Sequence, residues 1–408
     1  MKVSQTKRSF GKVVVTLGLV MALLVASASL THHNVSASSD AYDLLREAWK
    51  ERLTGGAGYN ASDPDIAQVI AAQDDLADDY YTSYHAPTPS ESYLWADQSD
   101  GTIFEAEASY RRLLTMAHAY ANPYSSISAT TKAAMQDAIV EGMEFLIDEW
   151  YNASVSQNEQ WFKFEIGVPK AIISLSVLMY DNLIQLGKSA LIEDHMDAIL
   201  HFSPDPADSR SATRTPRPGY MTGANLMDKC LNHILVGVLL KDGSLIDVAN
   251  DRIVDIFDYT TSGDGFYKDG SFIQHNAVPY TGTYGLVLMS ALPAYLSLLD
   301  GTEWELNDPN ADHLYDWVYD SYEPVLVRGA IMDYVRGRAI SRMKSQNLHS
   351  GRALLQALVE ISTFAPPADA AYFKGIVKRW ANTDIYDDFY SKESSFAQPS
   401  LIVRGTLD

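Results

Sequence analysis

A cluster of three aromatic side chains is the first feature of this sequence that could bind a ligand. Trp161, Phe162 and Phe164 lie within four residues, shortly before Pro169, which can begin a helix. An isolated cluster of this kind more often packs in a core. The other interpretation is a wall on which the apolar C–H faces of pyranose rings stack.

Two further clusters combine polar groups with turns. Asn225 lies in TGANLMD at 222–228, which is typical of a helix start, so it either caps the helix or offers its amide to a carboxylate. His275 and Tyr284 are nine residues apart across a turn, and both reach one point if the turn folds back. A lone histidine in such a loop is more often structural. The Asp/Gly pattern before His275 lacks the alternating acidic ligands of a calcium loop.

The fourth cluster is basic. Arg338 and Arg342 are four residues apart, so on a helix they share one face, with Arg336 just before them. Paired guanidinium groups suit a carboxylate or sulfate. The alternative is pairing with local acids.

Several other functions are excluded or left without support. The sequence has no HExxH, P-loop, dinucleotide fingerprint or GxSxG motif, although paired carboxylates of a glycoside hydrolase are not excluded. The net charge of −21 argues against nucleic acid as a partner. The single cysteine, Cys230, rules out an intrachain disulfide.

The elements that must position these residues are predicted to be helices. Apolar residues recur at helical spacing, and strand alternation is scarce. The predicted helices are 41–53, 104–121, 130–150, 169–186, 190–202, 223–240, 246–259, 284–299, 311–322, 350–363 and 368–381. Long Gly/Asp/Pro/Ser-rich links at 203–220 and 262–280 are of the kind that is usually functional. Alternating short and long links favour antiparallel helical hairpins closed into an α/α toroid.

The N-terminus is interpreted as a secretory signal peptide spanning 1–37. An apolar run over 13–30 and the small residues of 35–37 follow four basic side chains, which are Lys2, Lys7, Arg8 and Lys12. The alternative is a retained membrane anchor. We expect cleavage, and therefore a secreted bacterial protein with no membrane association after the signal is removed.

Together the clusters resemble polysaccharide lyase family 8, which contains hyaluronate, chondroitin AC and xanthan lyases. The motifs that carry the resemblance are WFKFEIGVP at 161–169, TGANLMD at 222–228, GDGFYKDGSFIQHNAVPYTGTYG at 263–285 and RGRAISR at 336–342. The resemblance implies an all-α fold, an incomplete α/α toroid, as a catalytic domain over 38–395. The family's C-terminal β-sandwich domains are expected to be absent, with 396–408 a truncated tail.

The resemblance also implies roles for individual residues. Asn225 would bind the substrate carboxylate, His275 and Tyr284 would be the acid–base pair, and Arg338 and Arg342 would be basic contacts. The implied substrate-binding residues are Trp161, Phe162 and Arg336. The family usually has two adjacent tryptophans, whereas here the second is Phe162, which keeps the stacking face but loses the indole donor.

The implied reaction is β-elimination at a uronic acid, giving a 4,5-unsaturated uronate. The negative charge of the substrate carboxylate opposes the formation of a carbanion at C5. Asn225 and an arginine that bind this carboxylate would weaken that effect. His275 would remove H5 and Tyr284 would protonate O4; alternatively, Tyr284 does both, assisted by a neighbouring arginine. Neither route needs a metal or another cofactor.

The substrate stays open between hyaluronan or chondroitin and xanthan. We expect a monomer with an acidic polysaccharide as its partner. The alternatives are a truncated, catalytically weak or inactive carbohydrate-binding toroid, and a toroid glycoside hydrolase. A polyanion would be repelled by the acidic chain, so a cleft of positive charge is predicted from Arg210, Arg214, Arg217, Lys229, Arg328, Arg336, Arg338, Arg342 and Lys344.

Overall fold

Helices form most of the structure, a computed structural model that describes residues 40–157, 160–209, 220–342 and 345–382. The α-helices in chain order are α1 Ala41–Thr54, α2 Pro64–Thr82, α3 Ile103–Ala121, α4 Ala129–Glu149, α5 Val168–Gln185, α6 Ser189–Phe202, α7 Gly223–Leu240, α8 Gly243–Ile253, α9 Leu286–Leu299, α10 His313–Trp317, α11 Asn347–Ile361 and α12 Pro367–Asn382. The prediction of an all-α fold is confirmed.

Several consecutive helices pack against each other, and local signals set where they begin. Helix α3 follows a capping box in which the Thr102 N–H donates to Glu105. Helix α2 begins at Pro64 after the N-cap Asp63. It packs on α3, and its buried residues include Ile66, Ile70 and Ala77. The sequence pattern does not predict α2.

Helix α1 lies against helices from distant parts of the chain. It contacts α5, α7 and α9. Ion pairs attach it as well, joining Lys50 to Asp181 at 2.8 Å and Arg52 to Glu360 at 2.8 Å. Around this contact, α7 is buried along almost its whole length. The core therefore runs through the centre of the helical assembly.

Helix α9 with the turn before it is the most apolar element. The segment Thr281–Leu299 is long and apolar enough to cross a membrane, but 67% of that window is buried inside the fold. Burial of this kind is typical of a core helix.

Short strands interrupt the helices near the predicted site. β1 Gly265–Phe266, β2 Phe272–Gln274 and β3 Val278–Pro279 form an antiparallel sheet, and β4 Leu326–Val327 pairs with β5 Ala330–Ile331. In the first sheet Gly265 pairs with Ile273, and Gln274 pairs with Val278. The β2–β3 hairpin carries His275 in its loop.

Candidate active site

Three of the predicted residues meet at the hydroxyl of Tyr284. A hydrogen bond of 3.0 Å joins His275 Nε2 to Tyr284 Oη. Arg338 Nη2 donates to the same oxygen at 3.1 Å. The His275 ring stands at 87° to the Tyr284 ring, with 5.0 Å between centroids. A base, a phenol and a permanent cation thus share one hydrogen-bonded chain.

The β2–β3 hairpin presents His275 at the surface. Its loop consists of residues 275–277, between the paired residues Gln274 and Val278. His275 and Asn276 both adopt left-handed backbone conformations, with φ of 56° and 67°. Non-glycine residues rarely adopt this conformation, and it is enriched at functional sites. The conformation leaves His275 exposed beside Tyr284.

A turn of π-helix, Thr281–Gly285, presents Tyr284 at the start of α9. The sequence pattern predicts an α-helix from residue 284. The wider turn packs closely on the segment before Arg338, because Thr283 Oγ1 donates to the Arg336 carbonyl at 2.8 Å. A side chain at Gly282 would approach Ile331 to 2.5 Å. Single π turns of this kind occur frequently at functional sites.

Arg338 lies in a 3₁₀ helix, Gly337–Ser341, and not in the α-helix that the prediction assumed. Arg342 lies just after this helix and has an extended backbone, so the α-helical spacing that would place it on one face with Arg338 is absent. Their expected common face is therefore wrong, although both side chains are exposed. Arg338 contacts Tyr284, while Arg342 lines a cavity of about 620 Å³ bounded by α1, α5, α7, α9 and α11. Thr283, next to Tyr284, lines the same cavity.

Arg336 requires a correction, because it is a structural residue and not an available substrate contact. Its side chain is only 1% exposed. The guanidinium donates to Asp333 at 2.6 Å, to Ser350 Oγ at 3.2 Å and to the Ser345 carbonyl. These bonds hold the loop that carries Arg338.

Asn225 lies in the first turn of α7, half-buried. Within the described part of the chain, its side-chain amide has no hydrogen-bond partner. The N-terminal end of an α-helix carries a partial positive charge, which favours an anion there. The amide and the helix end together suit a carboxylate.

The aromatic cluster divides into a core residue and an accessible pair. Phe164 is buried, Trp161 is half-buried and Phe162 is 43% exposed. The Trp161 and Phe162 rings meet edge to face, with 6.0 Å between centroids. The accessible pair can offer a stacking surface to a sugar.

A buried ion pair fastens this cluster to α7. Glu165, in the π turn Lys163–Gly167, accepts from Lys229 at 2.7 Å, and both side chains are at most 1% exposed. Gln157 donates to Glu165 at 2.8 Å. Burial lowers the pKa of Lys229, and the facing carboxylate opposes that shift. The aromatic pair and Asn225 are thereby fixed to one framework.

The predicted cleft of positive charge is wrong for two of its members and untested for four. Lys229 and Arg336 are buried in ion pairs and do not line a cleft. Arg328, Arg338 and Arg342 are exposed. Four positions lie outside the described residues, namely Arg210, Arg214, Arg217 and Lys344. Within the described ranges, no group of three or more His, Cys, Asp or Glu side chains could hold a metal.

The chain is similar to lyases of acidic polysaccharides. It is 34% identical over 384 residues to a xanthan lyase of Bacillus sp. (strain GL1), covering 92% of this chain and 39% of that protein. It is 34% identical over 381 residues to a hyaluronate lyase of Thermasporomyces composti, covering 92% and 46%. The chain thus spans less than half the length of these relatives.

Two solved structures of polysaccharide lyases resemble this chain over most of its length. A Paenibacillus xanthan lyase matches with a TM-score of 0.80 and 33% identity, over 90% of this chain and 34% of that one. The chondroitin AC lyase of Streptomyces coelicolor A3, in complex with chondroitin sulphate, matches with a TM-score of 0.81 and 28% identity, over 90% and 49%. The toroid prediction is confirmed by these neighbours.

The sequence profile of the N-terminal alpha-helical domain of polysaccharide lyase family 8 matches residues 49–379. The match includes all four motifs on which the resemblance was based. The chain therefore belongs to polysaccharide lyase family 8.

Proposed function

We propose that the chain cleaves a uronate-containing polysaccharide by β-elimination. The convergence of His275 and Arg338 on the Tyr284 hydroxyl is the observation that supports this proposal most directly. Elimination needs a base at C5 and an acid at O4, and this chain of hydrogen bonds contains both kinds of group.

The reaction first requires that the negative charge of the substrate carboxylate be neutralised. H5 lies next to a carboxylate, so its removal places more negative charge on that group. The Asn225 amide at the N-terminal end of α7 would bind the carboxylate and stabilise the developing dianion.

Proton transfer then completes the reaction. As the base takes H5, the C5–H electrons form the C4–C5 double bond, the C4–O4 bond breaks and O4 takes a proton. Tyr284 is the acid at O4 in either route. The base is His275 Nε2, or it is Tyr284 itself after losing its proton to solvent, with Arg338 stabilising the phenolate.

The aromatic pair and the names of the relatives support the proposed substrate class. Trp161 and Phe162 offer a surface on which a sugar ring can stack. The similar proteins are named as xanthan, hyaluronate and chondroitin AC lyases. We therefore propose xanthan, hyaluronan and chondroitin as the polymers to compare.

The test is ultraviolet absorbance of the unsaturated uronate. The protein is incubated separately with each polymer beside a Tyr284→Phe variant of equal helical content. A rise with one polymer that the variant abolishes supports elimination. A His275→Ala variant distinguishes the bases, since residual activity supports Tyr284 in both roles. A folded protein that retards a polymer on affinity gels without forming product would instead be a carbohydrate-binding toroid.

Export is a second part of the proposal. Residues 1–37, which lie outside the described residues, would be removed as a signal peptide. N-terminal sequencing of protein from the culture medium tests this. A new N-terminus near residue 38 supports it, and an uncleaved chain in the membrane fraction contradicts it.

A further inference from the structure

The carboxylate of Asp264 joins two separate segments of the site. Its Oδ2 accepts from Thr222 Oγ1 at 2.8 Å and from Gln274 Nε2 at 2.8 Å. Its Oδ1 accepts from the Asn276 backbone N–H at 2.6 Å. One side chain is thus bonded to the residue before α7 and to both neighbours of the hairpin's histidine.

On the α7 side, the helix start is held by Asp264 and not by its own cap. Thr222 occupies the N-cap position, where threonine usually bonds a backbone N–H of the first turn, yet it makes no such bond. Its hydroxyl is directed to Asp264 instead. The next residue, Gly223, has φ of +51°, and a side chain there would come within 2.4 Å of Gln274 Oε1. The start of the helix that carries Asn225 is therefore pressed against the hairpin.

On the hairpin side, the same carboxylate supports a costly backbone conformation. His275 and Asn276 are consecutive residues with positive φ, which persist only where surrounding structure holds them. The Asn276 N–H that bonds Asp264 lies within this loop. Removing the acceptor releases the loop that orients His275.

We propose that Asp264 is a positioning residue, which fixes the carboxylate-binding end of the site at Asn225 relative to the proton-transfer end at His275. The inference rests on the proposed function for its effect on catalysis. Asp264 acts through Thr222 and the hairpin.

The first test compares substitutions on the full chain. Asp264→Ala is expected to lower kcat about 100-fold, since a displacement of about 1 Å in an active site can have that effect. Asp264→Asn should lose less, because its remaining oxygen can still accept from Asn276. Asp269→Ala is the matched control, since this exposed aspartate accepts from the Ser271 N–H in the neighbouring β1–β2 turn and should change kcat less than about twofold. A folded Asp264→Ala protein with the kcat of this control overturns the proposal.

The second test does not depend on turnover. Histidines are labelled with ¹³C, and the His275 signal is assigned by its loss in His275→Ala. Asp264→Ala should move the His275 signal, and Asp264→Asn should move it less, because its oxygen can still accept from the Asn276 N–H. Thr222→Val removes the α7 contact with Asp264 and a 3.3 Å bond from Gln274 Nε2, but it leaves the bond from the Asn276 N–H to Asp264. It should therefore lower kcat about tenfold without moving that signal.

The outcomes separate the two proposals. If the unmodified protein forms no unsaturated product from any polymer, the proposed function fails, and the His275 signal alone decides the role of Asp264. If Asp264→Ala does not fold, Asp264→Asn is compared with Asp269→Ala in its place. A His275 signal that stays unchanged in every folded Asp264 variant overturns the inference.

Discussion

Gly337→Ala is expected to disable the site by steric displacement. Gly337 has φ of +52°, and a Cβ atom there would lie 1.9 Å from Cε1 of the buried Tyr280 ring. Ordinary contact begins at 3.4 Å, so the ring or the Arg338 segment must move by about 1.5 Å. Tyr280 packs on Tyr284 with 4.8 Å between ring centroids, and its hydroxyl accepts from the Arg338 N–H at 3.4 Å. Either movement separates Arg338 from Tyr284.

The expected magnitude has two parts. Overpacking together with the left-handed alanine should lower the free energy of unfolding by about 2–4 kcal/mol. In the protein that remains folded, kcat for elimination should fall about 100-fold, with a smaller change in KM.

The assay pairs a thermal melt with absorbance of the unsaturated product. Gly187→Ala is the control, because Gly187 has φ of +70° with no atom within 4 Å of an added Cβ. It should lose only about 1 kcal/mol and keep its activity. If Gly337→Ala matches the control in kcat, Tyr280 and Arg338 do not depend on this close approach, and the reasoning is refuted.

Arg336→Met should lower the free energy of unfolding by about 2–4 kcal/mol, because the guanidinium makes several buried hydrogen bonds. In the protein that remains folded, Arg336→Met should leave KM within about twofold. Arg338→Met should instead lower kcat without changing the melting temperature. A raised KM with unchanged stability for Arg336→Met would contradict the structural role of Arg336. Stability should also fall below pH 6.5, because burial lowers the pKa of His195 and His233 to about 4, so the unfolded chain binds more protons between pH 6.5 and 4. At pH 5 each histidine should cost about 2 kcal/mol, and equal urea midpoints at pH 7 and pH 5 would argue against this.

The sequence predicted the meeting of His275 with Tyr284 because a short loop and a turn bring nearby residues together. It could not predict that Arg336 is structural and Arg338 available, since the two differ in burial, which depends on contacts with Ser345 and Ser350 from a later segment. The spacing of Arg338 and Arg342 was misleading for a local reason. Gly337 at positive φ begins a 3₁₀ helix, so the α-helical rule did not apply.

In the fold, too, some elements could be predicted from the local sequence and others could not. Helices with wide apolar stripes were predicted, whereas α2 was missed because many acidic side chains surround its narrow buried stripe. The positioning role of Asp264 also had no sequence signal, because its bonds to Thr222 and Asn276 exist only once the hairpin lies against α7.

The central place of α1 sets the order in which this chain can finish folding. It is the first described helix to be synthesised, yet its ion-pair partners Asp181 and Glu360 lie 131 and 308 residues further on. At about 5–20 residues per second, synthesis of that interval takes roughly 15 to 60 s. Leu45 and Trp49, buried in the finished fold, have no complete packing surface until then. Nascent chains therefore pass through a long period of exposed apolar surface, in which chaperone binding competes with aggregation.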